Sequence, residues 1–266
     1  MKAARYLLSL VALLCFVKVL LPGATAQQTE ELRKEFLEAK AKAEKGDASA
    51  QNILGAMYYI GQGVEKDAAE AAKWLRKAAV QGDVGAQSML GEMYETGDGV
   101  KKDYAEALKW HRKAADQGNA NSQSGLGFLY YKGQGVERDD AEAVKWFRKA
   151  ADQGHAGAQH ELGVMYNNGQ GVEKDYTEAV KWFRKAADQG NATAQYNLGV
   201  MYHNGEGVEK DYAEAYAWWN IAAKTDADAA KNRDNLEKKM SPQQVGEAQK
   251  RTRELKALLE AKKKNP

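Results

Sequence analysis

Hydrophobic and polar positions recur along this chain with a period of 36 residues. The period is visible in columns of one residue type, in which each member lies 36 positions after the previous one. The clearest columns are tryptophan at 74, 110, 146, 182 and 218, tyrosine at 58, 94, 130, 166 and 202, and glycine at 55, 91, 127, 163 and 199. No insertion or deletion interrupts the register from Asp47 to Asp226, so this interval contains five units.

The spacing of the apolar residues predicts two helices in each unit. In the fourth unit, a first helix runs from about Ala156 to Tyr166 and is ended by the glycines that follow. A second helix carries an apolar stripe at spacings of three and four residues. Asp175 occupies the N-cap of this helix, and Glu178 is expected to return a hydrogen bond to the cap backbone, as in a capping box. Gly190 is predicted to end the helix in a left-handed conformation.

A glycine inside the first helix of every unit requires a physical reason. Glycine in a helix costs roughly 0.5–1 kcal/mol relative to alanine. We expect the close approach of a bulky ring to Gly163 to offset this cost, and the recurring tryptophan is the predicted ring.

Four motifs define the repeat and suggest its relatives. In the fourth unit they are Ala158-Gln159 with Leu162-Gly163, Tyr166 with Gly169 and Gly171-Val172, Asp175-Tyr176 with Glu178-Ala179, and the run from Lys181 to Ala187. This pattern resembles the Sel-one-like repeat family, which is related to the tetratricopeptide repeats, over residues 47 to about 226. The resemblance implies an all-α fold, a right-handed α/α solenoid of five 36-residue two-helix repeats. It also implies an adaptor or scaffold role and no shared catalytic residue.

The predicted domain map has a signal peptide, five repeats and helical caps at both ends of the solenoid. It assigns residues 1–26 to the signal peptide, 27–46 to an N-terminal capping helix, 47–82, 83–118, 119–154, 155–190 and 191–226 to the repeats, and 227–266 to C-terminal capping helices and a basic tail. Ser241-Pro242-Gln243-Gln244 is predicted to start the last helix with a capping box. The apolar seam of that helix is Val245, Ala248, Thr252, Leu255 and Leu259.

The N-terminus has the three parts of a secretory signal. Lys2 and Arg5 provide a basic start, the segment from Tyr6 to Val17 is apolar, and Ala24-Thr25-Ala26 offers small residues for cleavage after Ala26. The apolar segment is shorter than the ~20 residues that span a bilayer. We therefore expect an extracytoplasmic protein, periplasmic or secreted, that does not span the membrane after cleavage.

Cleavage would change the charge and the cysteine content of the chain. The first 26 residues carry three basic residues and no acid, so the net charge would change from +2 to −1. A chain so near neutrality is a poor candidate for nucleic-acid binding, which depends on neutralising phosphates. The only cysteine, Cys15, would also be lost. The mature chain is therefore predicted to have no disulfide, no thiol nucleophile and no cysteine-bound metal.

The glycine-rich loop and the histidines are the remaining candidates for chemistry. The Gly-x-Gly-Val loop lacks the Gly-Lys-Ser/Thr of a phosphate-binding loop, so a turn is predicted. The histidines occupy four different columns of the repeat. His155 is a predicted helix cap, and His111 is a predicted, partly buried packing residue. His160 and His203 could face one groove, but their spacing does not match a metal-binding pair. We therefore predict no catalytic residue, no cofactor and no metal.

Variation between the repeats is concentrated on one side of the first helices. Positions 52, 56, 59 and 60 lie along one helical face and differ from unit to unit. First helices usually line the concave surface of a solenoid, and aromatic, histidine and amide side chains there suit a protein or an extended peptide. A glycan is a further candidate ligand. The predicted binding residues are Asn52, Tyr59, Glu95, Phe128, Tyr131, His160, Asn167, Tyr196 and His203.

Two alternatives remain open. Exposed positions without a function would also vary between repeats. In addition, some secreted members of the family have been proposed to act on cell-wall material or β-lactams, which would make this chain a hydrolase or binding protein of that class. Those members are stapled by disulfides, whereas the mature chain is predicted to lack cysteine. The non-catalytic scaffold is the preferred prediction, and a unique buried carboxylate or histidine pair in the groove would favour the enzyme.

Overall fold

The computed structural model describes residues 26–264 and the side chains of residues 29–262. This part of the chain forms thirteen α-helices. Their bounds are α1 Ala26–Glu44, α2 Ala48–Ile60, α3 Ala68–Val80, α4 Val84–Thr96, α5 Tyr104–Asp116, α6 Ala120–Lys132, α7 Asp140–Asp152, α8 Ala156–Asn168, α9 Tyr176–Asp188, α10 Ala192–Asn204, α11 Tyr212–Ala222, α12 Ala227–Glu237 and α13 Pro242–Lys264. The predicted signal peptide lies outside the described residues, except for its last residue, Ala26.

The helices form two compact units that divide between Gln117 and Gly118. The first unit contains α1 to α5, and the second contains α6 to α13. Within each unit, consecutive helices pack against each other, most extensively the two helices of one repeat. The prediction of an all-α solenoid built from five two-helix repeats is confirmed. Between residues 26 and 264, no helix combines the length and the apolar composition needed to cross a lipid bilayer.

Aspartates start the second helices of the repeats, as predicted. The Asp175 side chain accepts a hydrogen bond from the Glu178 backbone N–H at 3.0 Å. The predicted return bond is wrong, because the Asp175 N–H donates instead to the Tyr166 carbonyl at 3.0 Å. The Glu178 carboxylate pairs with Lys181 at 2.6 Å. Since the last turn of the first helix satisfies the cap of the second, this bond joins the two helices of a repeat.

The helical glycine is a point of close contact, but the predicted tryptophan is not its partner. A Cβ atom on Gly163 would lie 2.5 Å from two ring carbons of Phe183, the residue after Trp182. The same column meets the glycine in the other repeats: Leu75 at Gly55, His111 at Gly91, Phe147 at Gly127 and Trp219 at Gly199. The tryptophan prediction is therefore wrong, because the residue one step further around the second helix faces the glycine.

The second glycine of the Gly-x-Gly-Val loop joins successive repeats. Gly171 has φ +66°, and a Cβ atom there would lie 2.2 Å from the Asp140 carbonyl oxygen at the start of α7. Both the left-handed backbone and the contact require glycine. The loop is a turn, as predicted, and it packs on the preceding repeat.

A buried glutamine links the helices of neighbouring repeats. In the fourth repeat, the Gln159 side-chain amide donates to the Ala151 carbonyl in α7 at 3.0 Å. Its Oε1 accepts a hydrogen bond from Gln189 at the end of α9 at 2.7 Å. The same bond to a preceding carbonyl is made by Gln51, Gln87 and Gln195. Because an unsatisfied buried amide costs about 1–3 kcal/mol, these glutamines specify the stacking of one repeat on the next.

Helical caps are present at both ends of the described chain. In the first unit, Phe36 and Ala43 on α1 are buried against Leu54, Met57 and Trp74 of the first repeat. The apolar contacts of α1 therefore cover the open side of that repeat.

In the second unit, α13 covers the last repeat. The predicted capping box is confirmed, since the Ser241 N–H donates to Gln244 Oε1 at 2.8 Å and the Gln244 N–H donates to Ser241 Oγ at 3.3 Å. Leu255 and Leu259 of its predicted seam are buried in the cluster that contains Trp218. Two ion pairs fix this helix further: Arg251 with Glu214 at 2.5 Å and Lys262 with Asp188 at 2.6 Å.

Candidate binding face on the first helices

All nine residues predicted to bind a partner are half-buried on the first helices of the repeats. We call this set the first-helix face. It comprises Asn52, Tyr59 and Glu95 in the first unit, and Phe128, Tyr131, His160, Asn167, Tyr196 and His203 in the second. Ser88 and Ser124 occupy the same column as Asn52 but are 5% and 4% exposed. That column is therefore not a continuous surface row, and its accessible members are the larger polar and aromatic side chains.

In the first unit, the Tyr59 hydroxyl lies in acidic surroundings. Its pKa is raised first by partial burial, then by a hydrogen bond to Asp98 and by the charges of Asp98 and Glu92. The Lys66 ammonium lies 5.4 Å from the centre of the Tyr59 ring. Asn52, on the same helix, reaches the start of α4, where a Cβ atom on Gly85 would come within 2.8 Å of its Nδ2. The first unit thus presents a protonated phenol and an amide beside carboxylates.

A buried histidine lies beneath this acidic region. His111 is 1% exposed, more buried than predicted, and its Nε2 lies 3.2 Å from Glu95 Oε1. Glu92 is exposed as a residue, yet neighbouring protein atoms displace water from its carboxylate and raise its pKa. His111 opposes this rise and Glu95 adds to it. The imidazole and the two carboxylates therefore form one electrostatic group, with the imidazole closed off from solvent.

In the second unit, Phe128 and Tyr131 on α6 present two rings. Phe128 packs edge-to-face on Phe147, with the ring centres 5.0 Å apart and the planes at 83°. The Tyr131 hydroxyl accepts a hydrogen bond from Gln170, in the loop of the next repeat, at 3.4 Å. The Arg138 guanidinium lies 5.4 Å from the centre of the Tyr131 ring. Both rings are held in place, and each keeps part of its surface accessible.

His160 connects the first helices of the fourth and fifth repeats. Its Nε2 lies 3.2 Å from Asn197 Nδ2 on α10, and its Nδ1 lies 3.1 Å from Glu161 Oε1. These two contacts fit the neutral tautomer in which Nδ1–H donates to Glu161 and Nε2 accepts from Asn197. The imidazole also packs on Phe183, with the ring centres 5.8 Å apart. His160 is therefore a positioned hydrogen-bonding group rather than a free surface side chain.

A cavity of about 270 Å³ opens beside this contact, between α8 and α10. Asn167 of the first-helix face lines it, and the Asn167 amide donates to Asn168 at 3.0 Å. Its other lining residues are Val164, Asn168, Phe183, Asn197, Val200, Met201 and Glu206. The cavity combines apolar walls with amide and carboxylate groups, which is the composition of a small recognition pocket.

Tyr196 and His203 on α10 are held by the C-terminal elements. The Tyr196 hydroxyl accepts a hydrogen bond from Asn232 in α12 at 3.4 Å, and its carbonyl accepts one from Trp219 at 3.1 Å. The His203 ring lies between Tyr212 and Trp219, at 5.4 and 5.5 Å between ring centres. These contacts give both residues a packing role in addition to their accessible surface.

The structure places further residues at this face that the sequence reasoning omitted. Asn197, Val164 and Val200 line the cavity, and Asn197 contacts His160. Position 53 of the repeat, the column of Asn197, also varies between units. This variation could have pointed to Asn197. The residue was missed because its column lies outside the helical stripe of positions 52, 56, 59 and 60.

The other histidines and the acidic residues do not form a metal centre. His155 is a helix cap, as predicted, because its Nδ1 accepts a hydrogen bond from the Ala158 N–H at 3.0 Å, and burial lowers its pKa. His160 and His203 have separate sets of partners. In the part of the chain that the structure describes, no group of three or more His, Cys, Asp or Glu side chains could hold a metal ion.

This fold and face define an all-α helical-repeat protein. Five Sel1 repeats match the sequence, at residues 48–83, 84–119, 120–155, 156–191 and 192–224, and the chain belongs to the Sel1 repeat family. Sel1 repeat proteins are generally protein-interaction scaffolds that bind other proteins, and they are often extracytoplasmic. No curated protein matches the sequence significantly.

Two repeat proteins are among the solved structures that are similar to this chain. One is a protective antigen present in uropathogenic Escherichia coli strains that displays an SLR fold, with a TM-score of 0.74, 33% identity and coverage of 87% of this chain. This chain spans 54% of the length of that antigen. The other is a Sel1 repeat protein from Oxalobacter formigenes, with a TM-score of 0.68, 34% identity and coverage of 78% of this chain and 87% of that one.

Proposed function

We propose that this protein is an exported, non-catalytic scaffold that binds a protein or an extended peptide through the first-helix face, on the concave side of the repeats. One observation carries the proposal. The side chains that vary between repeats are half-buried and positioned by neighbouring groups, as His160 is by Asn197 and Glu161. Positions that vary freely without function do not need such fixed partners.

The chemistry of the face favours a peptide. Rings such as Tyr59, Phe128 and Tyr131 offer large contact areas with little loss of side-chain entropy, because they are already held in place. The amides of Asn167 and Asn197 can pair with peptide N–H and C=O groups. A glycan would use the same rings and amides, and it remains a second candidate ligand in a binding assay.

The arrangement of His111 and Glu95 does not support the hydrolase alternative. A general base must lie within hydrogen-bonding reach of the proton that it removes from a substrate. His111 is 1% exposed and fills the helix contact at Gly91, the place of Phe147 and Phe183 in later repeats. Its position therefore serves packing, and the scaffold is the better proposal.

Export is the second part of the proposal. The sequence of residues 1–26 supports it, as do the extracytoplasmic members of the family. Intact-mass measurement of protein from the native host tests it. The expected product begins at Gln27 in the extracytoplasmic fraction, whereas a full-length product confined to the cytoplasm would refute export.

Binding is tested with the purified protein as bait for the extracytoplasmic fraction of the native host, followed by affinity measurement with the captured partner. Alanine at Asn167 removes an accessible amide of the first-helix face and should weaken binding at least about tenfold if the amide is a central contact. Alanine at Lys181, an exposed position on second helix α9, is the matched control and should leave affinity unchanged. Equal affinity of both variants, with unchanged melting curves, would remove this part of the face from the proposal.

A further inference from the structure

We propose that the cavity between α8 and α10 binds one aliphatic side chain of an extended peptide whose neighbouring residue is lysine or arginine. This inference rests on the proposed function and specifies the ligand. The observation that supports it is a cavity with apolar walls whose lining also contains three amides and a carboxylate.

The size of the cavity selects the kind of group that it can hold. Its volume of about 270 Å³ is below the range of roughly 300–1,000 Å³ typical of pockets for whole small-molecule ligands. A single side chain fits such a space, while its backbone stays outside. Val164, Val200 and Met201 provide apolar walls, and the Phe183 ring lines the same space. Contact with these apolar walls favours an aliphatic side chain, because burying it there removes apolar surface from water.

The neighbouring repeat shows why the cavity occurs here. Val164 and Phe128 occupy the same position in successive repeats. In the third repeat, the Phe128 ring lies edge-on against Phe147, the counterpart of Phe183. In the fourth repeat, valine is too small to cover Phe183 in this way, and both residues line the open space. The smaller side chain of Val164 therefore leaves Phe183 open to the cavity.

Asn167 and Asn197 can hold the peptide backbone at the pocket. The Asn167 Nδ2 donates to Asn168, and the Asn197 Nδ2 contacts His160. These contacts orient both amides and leave their Oδ1 atoms without a hydrogen-bond donor among the described residues. A backbone N–H on either side of the bound side chain would satisfy them.

Charge complementarity selects the neighbouring residue of the peptide. Glu206 lines the cavity, and its carboxylate accepts a hydrogen bond from Asn204 at 3.4 Å but pairs with no cation among the described residues. This carboxylate attracts a basic side chain and repels an acidic one. The occupant is therefore a peptide segment that combines an aliphatic residue with an adjacent lysine or arginine.

A library of random peptides displayed on phage provides the test. Selection on the purified protein should enrich sequences with Val, Ile, Leu or Met next to Lys or Arg. A synthetic peptide of the enriched sequence is then the probe for titration. Val164→Phe, which introduces the residue found at Phe128, should weaken binding at least about tenfold by filling the pocket. Val80→Phe, the same change at a site that is 71% exposed in the first unit, should leave affinity unchanged.

Two further variants keep the test decisive. Val164→Ala enlarges the cavity and should shift the preference toward larger apolar side chains, even if Val164→Phe folds poorly. Glu206→Gln should weaken binding of the basic peptide but not of a version with neutral glutamine in place of its lysine or arginine. Enrichment of acidic sequences, or of sequences without an aliphatic residue, would overturn the inference.

The failure of this inference can be told apart from failure of the proposed function. If the enriched peptide binds Val164→Phe and the wild type equally but loses affinity on Asn52→Ala or Phe128→Ala, the scaffold proposal survives and the pocket assignment does not. If the selection enriches no peptide sequence over a control selection without protein, the pocket assignment is also overturned.

Discussion

Gly163→Ala is a small change that tests how the repeats are held together. The added methyl group would lie 2.5 Å from two ring carbons of Phe183 and 3.0 Å from a third. Carbon atoms in ordinary contact are about 3.5–4.0 Å apart, so the ring or the helix would have to move by about 1 Å. The Phe183 ring is 2% exposed and belongs to the core cluster, so its movement in any direction other than into the neighbouring cavity would disturb the core.

Two opposing effects set the expected magnitude. Overpacking of a core costs about 1–3 kcal/mol, whereas replacing glycine by alanine within a helix gains about 0.5–1 kcal/mol. The difference of the two ranges is a net loss of stability between about 0 and 2.5 kcal/mol, with a midpoint of about 1.2 kcal/mol. For a protein of this size, a loss of 1 kcal/mol lowers the melting temperature by about 2–4 °C. At this midpoint, Gly163→Ala should melt roughly 2–5 °C below the wild type.

Urea denaturation followed by circular dichroism measures this loss, and the chain provides its own control. Gly246 is a helical glycine in α13 at which an added Cβ would meet no atom within 4 Å. Gly246→Ala should therefore stabilise the protein by about 0.5–1 kcal/mol. Phe183→Leu offers a second control, because a flexible side chain can yield where a ring cannot. Gly163→Ala should cost at least about 0.5 kcal/mol less in that background than in the wild type.

The reasoning is refuted if Gly163→Ala stabilises the protein as Gly246→Ala does. It is also refuted if the cost of Gly163→Ala is the same with Phe183 and with leucine at position 183, because the clash would then not involve this ring.

Three further predictions concern the acidic region, the C-terminal cap and the glutamine links. Glu92→Gln should be more stable than the wild type at pH 7, and the difference in stability should shrink toward pH 4. The raised pKa of Glu92 means that folding favours the protonated carboxyl, and the wild type loses this stabilisation as the pH rises through the folded pKa. Urea midpoints at both pH values measure the difference, and a difference independent of pH would contradict the prediction. Arg251→Ala leaves the part-buried Glu214 without its 2.5 Å ion pair and should lower the stability by about 1–3 kcal/mol. Amide hydrogen exchange in α13 should become faster, and unchanged exchange there would contradict the role of this ion pair in holding the helix. Gln159→Leu leaves the buried Ala151 carbonyl without its hydrogen bond and should cost about 1–3 kcal/mol by urea denaturation. A loss below a few tenths of a kcal/mol would show that this link is dispensable.

Periodic spacing was sufficient to predict the helices and most of their ends. Helix starts could be predicted at Asp175 and Ser241, because each caps its helix through a hydrogen bond with a residue three positions later. Such local signals depend on hydrogen bonds within one turn, so they do not require knowledge of the tertiary structure. The return bond from Glu178 failed because the Tyr166 carbonyl, distant in sequence, competes for the same N–H.

Contacts between helices were harder to predict. Trp182 and Phe183 are adjacent, and their spacing alone does not show which of the two rings meets Gly163. The cavity had no sequence motif, because it arises from a difference in size between Val164 and Phe128 at equivalent positions. Such a difference has a structural meaning only once Phe147 and Phe183 are known to lie beneath these side chains.

Site-specific photo-cross-linking in the native host tests the central claim most directly. A photoreactive amino acid is placed at Asn167 or Tyr59 on the first-helix face, or at the exposed lysines Lys181 and Lys109 on the second helices. The scaffold account predicts adducts with an extracytoplasmic protein or peptide from the two first-helix positions and none from the two second-helix positions. Adducts from the second helices alone would contradict it.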